Sequence, residues 1–174
     1  MNRLAICALV LTMCAAGCGS KSPTTPSNSN QVKFTATLLP SNEVPAITNA
    51  DQSGRGTATM TLNFTKDAAG TITNPSFDFN MDLSGFPPGT TLTAAHIHPG
   101  AAGGTGGALI NMGLGAGEIV LVNGSQTGIL KTNLTVNLTP TNAQDMINNP
   151  SQWYFNVHTT LNTGGAARGQ LVKQ

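Results

Sequence analysis

Apolar and polar residues alternate with a period of two in five short runs of the chain. These runs cover residues 34–38, 58–64, 77–83, 134–138 and 153–157. Successive side chains of a β-strand point to opposite faces, so each run predicts a half-buried antiparallel strand. Turn-forming residues, for example at 67–70 and 123–124, separate the runs. The pattern therefore predicts many short strands joined by tight turns.

One segment has a helical pattern instead. Residues 141–147 follow a Thr or Asn that can cap a helix, and the segment ends at Asn148-Asn149-Pro150. Such a helix has about two turns. Seven to nine short strands with one brief helix predict an all-β fold, either a β-sandwich or a Greek-key barrel. We expect this single domain to cover residues 32–174.

The first residues have the features of an export signal. Arg3 supplies a positive charge, residues 4–13 are apolar, and Ala15-Ala16-Gly17 precedes Cys18. The apolar run is too short to span a membrane, which needs about 20 residues. The position of Cys18 resembles the lipobox of bacterial lipoproteins, in which cleavage leaves the cysteine as the lipidated N-terminus. We therefore expect residues 1–17 to be a lipoprotein signal peptide; a secretory signal cut elsewhere is the alternative.

The segment after the cysteine fits a tether. Residues 18–31 begin with the lipidated cysteine, contain two prolines and have no apolar anchor, as expected for a flexible linker. No Asp follows Cys18, which favours the outer membrane of a Gram-negative cell over inner-membrane retention. We thus expect an exported chain that is lipid-anchored to the cell envelope, facing the periplasm or the cell exterior.

Charge is scarce in this chain. Lys and Arg number 8, Asp and Glu number 7, and only 9% of residues are charged, against roughly 25% in ordinary domains. No extended field of either sign is expected, so we expect no nucleic-acid partner. Removal of the signal peptide takes away Arg3, Cys7 and Cys14. The remaining domain is formally neutral and has no pair of cysteines for an internal disulfide.

All three histidines fall in two of the predicted strand segments. With Ala95 and Ile97 facing the core, His96 and His98 project together from the opposite face, about 7 Å apart. By the same alternation, His158 points outward from the later segment. Three imidazoles on one face can bind copper or zinc, provided that the two strands lie close together, which the pattern does not specify.

Several neighbouring residues are candidates for supporting roles. Tyr154 and Asn156 share the outward face of His158 and are expected to orient the imidazoles through hydrogen bonds. The small-residue loop 99–104 is expected to leave the site open. Met112, close to the glycine-rich stretch, is a candidate soft ligand for copper.

Two further charged residues are assigned a structural role. Glu43 and Arg168 are expected to form an ion pair across the fold, bidentate if well aligned. No second carboxylate accompanies Glu43 at a spacing typical of glycosidases, and no Gly-x-Ser-x-Gly motif is present. The sequence therefore assigns no catalytic residue.

Four motifs in a fixed order resemble the CHRD domain family, which includes chordin and many bacterial secreted proteins and lipoproteins. They are FTATL with the following NEVP, AHIH with its glycine-rich loop, YFNVHT, and GAARGQL, and they span about residues 32–174. The resemblance implies an immunoglobulin-like β-sandwich or barrel with a topology like that of copper/zinc superoxide dismutases. The family has no settled biochemical activity.

These observations leave three functions open. The favoured one is an envelope binding module that binds copper or zinc through His96, His98 and His158. The second is a metal-free structural or adhesive module that contacts an envelope protein or a polysaccharide. The third is a dismutase-like redox enzyme, in which His96 and His98 would match the copper pair and Arg168 the substrate-guiding arginine. It is disfavoured because the chain has too few histidines for a copper–zinc pair.

The lipobox assignment predicts the outcome of fatty-acid labelling. Cells that express the chain in the presence of a labelled fatty acid should label the protein, and Cys18→Ala should abolish the label because the acceptor thiol is gone. Cys14→Ala, which removes a cysteine of the signal peptide, should leave labelling intact. Persistent labelling of Cys18→Ala would contradict the assignment.

Overall fold

The computed structural model describes residues 30–174, in which ten strands and one α-helix follow one another. The predicted signal peptide, Cys18 and most of the predicted tether lie outside the described residues. The elements are β1 (Asn30–Leu38), β2 (Arg55–Lys66), β3 (Ile72–Ser84), β4 (Thr90–Pro99), β5 (Ile110–Asn111), β6 (Val120–Leu121), β7 (Gln126–Leu134), α1 (Pro140–Asn148), β8 (Trp153–Thr159), β9 (Ala167–Gln170) and β10 (Val172–Lys173), with 3-10 turns at Pro40–Asn42, Ala50–Ser53 and Pro150–Gln152.

The strands form two antiparallel sheets. One sheet has the order β10-β1-β2-β3-β7, and the other has the order β5-β4-β8-β9 with β6 also paired to β4. The predicted all-β sandwich with one helix is therefore confirmed. No helix of the described residues is long and apolar enough to cross a membrane.

Alternate residues of each sheet fill the space between the two layers. In the first sheet, Phe34 of β1 lies opposite Met60 of β2, and Met60 lies opposite Phe79 of β3. All three side chains are buried. Phe79 reaches across to Phe155 of β8 with ring centroids 5.8 Å apart. The period-two pattern of the sequence thus corresponds to one apolar core shared by both sheets.

A short bridge joins the two sheets at one edge. Leu39, directly after β1, pairs with Arg168 of β9, and each backbone N–H donates to the other residue's carbonyl at 3.1 and 3.3 Å. The bridge holds the 3-10 turn Pro40–Asn42 against β9. It therefore fixes the chain around Glu43 beside the outer face of the second sheet.

The boundaries of two predicted elements differ from the structure. The expected strand at 134–138 is wrong: the strand there is β7, which ends at Leu134, and Val136 is 60% exposed. Asn133 and Asn137 adopt positive φ angles of 54° and 59°, which turn the chain out of the sheet. The predicted helix is one residue longer at each end, with Thr139 accepting a hydrogen bond from the Asn142 N–H as its cap.

The shared core predicts a large effect of removing an aromatic ring. Phe79→Ala should lower the free energy of unfolding by about 3–5 kcal/mol, because the two sheets lose an inter-sheet contact and a cavity remains. Leu130→Ala on β7, where the side chain is 61% exposed, should change it by less than about 0.5 kcal/mol. Urea unfolding followed by circular dichroism measures both. Equal effects of the two substitutions would contradict this description of the core.

Candidate functional site

The two histidine-bearing strands are neighbours. β4 pairs antiparallel with β8, and the register places His98 opposite Tyr154 and His96 opposite Asn156. Residues that lie directly opposite each other point to the same face of a sheet. His158 follows Asn156 by two residues and so shares that face as well. The fold therefore collects all three histidines on the face of the second sheet that turns away from the core.

The three imidazoles are close enough to share a ligand. The distance from Nδ1 of His96 to Nε2 of His158 is 3.0 Å, and one nitrogen from each ring lies within 4.8 Å of the other two. The ring of His96 stands nearly perpendicular to those of His98 and His158, at 82° and 74°. This arrangement can hold a metal ion among three nitrogen atoms.

Backbone carbonyls orient two of the rings. Nδ1 of His98 lies 3.0 Å from the Gly106 carbonyl, and Nδ1 of His158 lies 2.9 Å from the Thr163 carbonyl. A carbonyl only accepts, so both Nδ1 atoms carry the proton and both Nε2 atoms present a lone pair. His96 then donates from Nδ1 to Nε2 of His158. The Nε2 atom of His98 is buried and has no hydrogen-bond partner.

Burial keeps the three histidines neutral. Burial, together with the nearby His158 and His98, lowers the pKa of His96 from 6.5 to about 4. Burial also lowers the pKa of His98 and of His158, partly offset by their hydrogen bonds to the carbonyls. Neutral imidazole is the form that binds a metal. At neutral pH the site therefore needs no deprotonation before it binds an ion.

Tyr154 and Asn156 differ from their expected role. The ring of Tyr154 stacks on His98 with centroids 4.8 Å apart and planes 9° apart, and its hydroxyl donates to the Gly106 carbonyl at 3.3 Å. It supports His98 by stacking and through Gly106, without a hydrogen bond to an imidazole. Asn156 has no hydrogen bond to a histidine, and its buried Oδ1 has no partner among the described residues. The groups that orient the rings are backbone carbonyls instead.

The glycine-rich loop closes over His98, which corrects the expectation of an open site there, whereas His96 stays partly exposed. His98 and His158 are only 5% and 7% exposed. A side chain at Gly106 would place its Cβ 1.8 Å from the Pro99 carbonyl oxygen. The absence of a side chain lets the loop close down until the Gly106 carbonyl reaches His98.

Met112 belongs to the other face of the sheet. It is fully buried in the hydrophobic core, and its backbone N–H donates to the carbonyl of Ala95, a core-facing residue of β4. The expectation that Met112 is a candidate ligand for copper is therefore wrong. Its side chain packs between the sheets, on the opposite side from the imidazoles.

Glu43 and Arg168 do not form the predicted ion pair. Within residues 30–174 the one salt bridge joins Lys131 and Glu118. Arg168 donates from Nε to the Asn42 carbonyl at 2.6 Å instead, and its Nη2 is buried without a partner. The backbone bridge of β9 holds the guanidinium beside the 3-10 turn, where the Asn42 carbonyl accepts its hydrogen bond.

Glu43 nevertheless lies at the edge of the histidine site. A Cβ on Gly165 would lie 2.5 Å from Nδ2 of Asn156 and 2.9 Å from both carboxylate oxygens of Glu43. The absence of a side chain at Gly165 thus lets Glu43 and Asn156 approach each other. Glu43 is only 9% exposed, and its Oε1 has no partner. Burial raises its pKa to about 7, against the opposing effect of the Arg168 charge.

Sequence reasoning missed the contributions of Gly106 and Thr163. Both act through a backbone carbonyl, which every residue has, so no residue type marks them. The run of glycines around Gly106 is the one available signal, because closely approaching backbone needs small residues. Thr163 has no such signal.

The raised pKa of Glu43 predicts a pH-dependent effect of Glu43→Gln. The folded chain retains the Glu43 proton up to pH 7, whereas the unfolded chain loses it near 4.5. Below pH 4.5 the Glu43 carboxyl is protonated in both states and does not change the free energy of unfolding. As the pH rises from 4.5 through 7, ionisation in the unfolded chain lowers the free energy of unfolding by on the order of 3 kcal/mol. Glutamine does not ionise and should remove this cost.

Urea unfolding in the presence of a chelator, below pH 4.5 and above pH 7, measures the effect. Relative to the unchanged chain, Glu43→Gln should be more stabilising at the higher pH. The histidines are present in both chains, so their titration cancels in the comparison. A difference that is the same at both pH values would show that Glu43 ionises normally in the folded protein.

One family of known proteins matches nearly all of the folded region. The CHRD domain family matches residues 34–171, which include both histidine segments, Glu43 and Arg168. Neither the curated proteins nor the solved structures contain a match. The family match covers most of the chain, as the order of its four motifs predicted. The chain therefore belongs to the CHRD domain family.

Proposed function

We propose that this protein is a metal-binding module in which His96, His98 and His158 bind one copper or zinc ion. The observation that carries the proposal is the Nε2 atom of His98, which is buried with its lone pair unused. A buried acceptor without a partner costs about 1–3 kcal/mol. A metal ion bonded to this nitrogen would remove that cost.

The three ligand nitrogens lie within 4.8 Å of one another, so metal binding would require them to close around the ion. Nε2 of His158 already presents a lone pair to the site. His96 becomes a ligand when its proton moves from Nδ1 to Nε2, which frees Nδ1 without a change in charge. Ligand bonds of about 2.0–2.1 Å place neighbouring nitrogens roughly 3.3 Å apart, close to the 3.0 Å between His96 and His158.

The donor set favours copper or zinc over harder cations. Imidazole nitrogens suit these two metals, whereas magnesium and calcium prefer oxygen ligands. Within the described residues no carboxylate or thiolate joins the cluster. Three protein ligands leave a coordination position free, as in sites that bind a water or a further ligand.

The proposed setting is the cell envelope. The signal-like residues 1–17 and the lipobox-like position of Cys18 support a lipid-anchored, exported chain. In that setting, the domain would present its metal site at the membrane surface. The competing proposal, a metal-free module that contacts an envelope protein or a polysaccharide, has no comparable site observation in its favour.

Metal titration of the purified chain tests the proposal. The chain is prepared without a histidine tag and with its three cysteines replaced by serine, so that no added ligand competes. Calorimetric titration should show one tightly bound Cu²⁺ or Zn²⁺ per chain. His98→Ala and His158→Ala should each weaken binding by about a hundredfold or more, because each removes one of three ligands.

Asn111→Ala is the matched control. Asn111 lies opposite His96 on β5, yet its side chain is exposed and outside the cluster. This substitution should leave the metal affinity unchanged. If the unchanged chain binds neither ion, or if the two histidine variants bind as well as Asn111→Ala does, the metal proposal fails and the metal-free module remains.

A further inference from the structure

We infer that the histidine site adjoins a binding position for a small oxyanion that carries a hydroxyl group, such as bicarbonate, held by Arg168 and Asn156. The inference rests on the proposed metal site, because one oxygen of the anion would take the coordination position that the three imidazoles leave free. It assigns a ligand class to that position.

The first observation is the location of the unpartnered polar atoms. In the described part of the chain, four buried side-chain atoms have no hydrogen-bond partner: Glu43 Oε1, His98 Nε2, Asn156 Oδ1 and Arg168 Nη2. Buried polar groups are almost always paired, so unpaired ones call for an explanation. All four belong to the histidine site and its border. The concentration of these four unpartnered atoms at one site indicates a missing polar ligand.

The second observation is that two of these residues, Asn156 and Arg168, lie in one cross-strand row with a histidine of the site. His96 of β4 lies opposite Asn156 of β8, and Asn156 lies opposite Arg168 of β9. Side chains in such a row are about 5 Å apart at Cβ. Asn156 thus stands between an imidazole and the guanidinium. A small ligand beside Asn156 can contact both.

The ring of Tyr154 contacts both His98 and Arg168. Tyr154 stacks on His98, and Cζ of Arg168 lies 4.5 Å from the centre of the Tyr154 ring. The positive charge of Arg168 also contributes to the lowered pKa of His98. The guanidinium and the His98 imidazole therefore lie within electrostatic range of each other.

The third observation concerns charge. Arg168 is 2% exposed, and no carboxylate of residues 30–174 lies within salt-bridge distance of it. A buried charge without a counter-ion is unfavourable, and a bound metal ion would add further positive charge to the same region. The one nearby carboxyl, Glu43, is disfavoured as an anion by burial. An exogenous anion would supply the missing negative charge.

The donors and acceptors specify the kind of anion. Nη2 of Arg168 can donate to an anionic oxygen, and this hydrogen bond would be charge-assisted. Oδ1 of Asn156 can only accept, so an oxyanion that satisfies it must carry a hydroxyl proton. Bicarbonate offers both groups, whereas formate offers only the anionic oxygens. Bicarbonate should therefore bind more tightly than formate.

The test uses the copper-loaded full chain at one fixed pH above the pKa of Glu43, with perchlorate holding the ionic strength constant. Bicarbonate is added while the visible and electron paramagnetic resonance spectra of Cu²⁺ are recorded. A saturable spectral change reports an anion at the metal. Arg168→Gln should weaken bicarbonate binding about tenfold or more, the effect of losing one charge-assisted hydrogen bond. Cu²⁺ should still bind, because Arg168 is not a metal ligand and its loss removes a positive charge near the ion.

Glu43→Gln provides a variant with the opposite expected sign. It removes a competing negative charge and should strengthen bicarbonate binding, whereas general damage to the pocket would weaken it in both variants. Arg55→Gln, at the exposed start of β2, should have no effect. If Arg168→Gln does not fold, Arg168→Lys replaces it and should show an intermediate affinity, because lysine keeps the charge without the guanidinium geometry.

The outcomes separate the two proposals. Absence of Cu²⁺ binding in the unchanged chain overturns the metal site and this inference together. Normal Cu²⁺ binding without a bicarbonate effect, or with equal bicarbonate affinity in Arg168→Gln and the unchanged chain, overturns this inference alone. Equal affinities for formate and bicarbonate overturn the assignment of a hydroxyl to the ligand.

Discussion

The pairing of β4 with β8 is the interaction on which the site depends. It joins segments that are 62 residues apart in the case of His96 and His158. The alternation of side chains means that a slip of one residue in one strand would turn its histidines into the core. The apolar residues between them prevent this, because Ile97 and Phe155 are opposite each other and fully buried. The core thus fixes the geometry of the polar face.

The polar face is unusual because it is covered. Every residue of β8 is buried, on both sides of the sheet. Covering an outer face with loops costs free energy wherever polar atoms lose water without gaining a partner. The carbonyls of Gly106 and Thr163 compensate for this at two imidazoles. The compensation is incomplete at His98 Nε2, Asn156 and Arg168, so stability alone does not account for this arrangement.

The sequence predicts local features of this site well and non-local features poorly. Period-two alternation was enough to place His96, His98 and His158 on the face away from the core. The adjacency of β4 and β8 is a tertiary property that alternation does not encode. The position of Arg168 depends on the bridge with Leu39, which also lies outside any local pattern. The error at 134–138 arose because apolar alternation continues into a turn that asparagines make possible.

Burial has opposite effects on the two kinds of titratable group at the site, and both effects remove charge. It lowers the pKa of the histidines and raises that of Glu43, so that near neutral pH the histidines are uncharged and Glu43 titrates. Arg168 is then the main fixed charge of the pocket. A metal ion that enters would favour the ionised form of Glu43, since a nearby cation lowers the pKa of a carboxyl group. The charge brought in by a metal can therefore be balanced by Glu43 losing its proton or by an anion at Arg168, and these two responses compete for the same pocket.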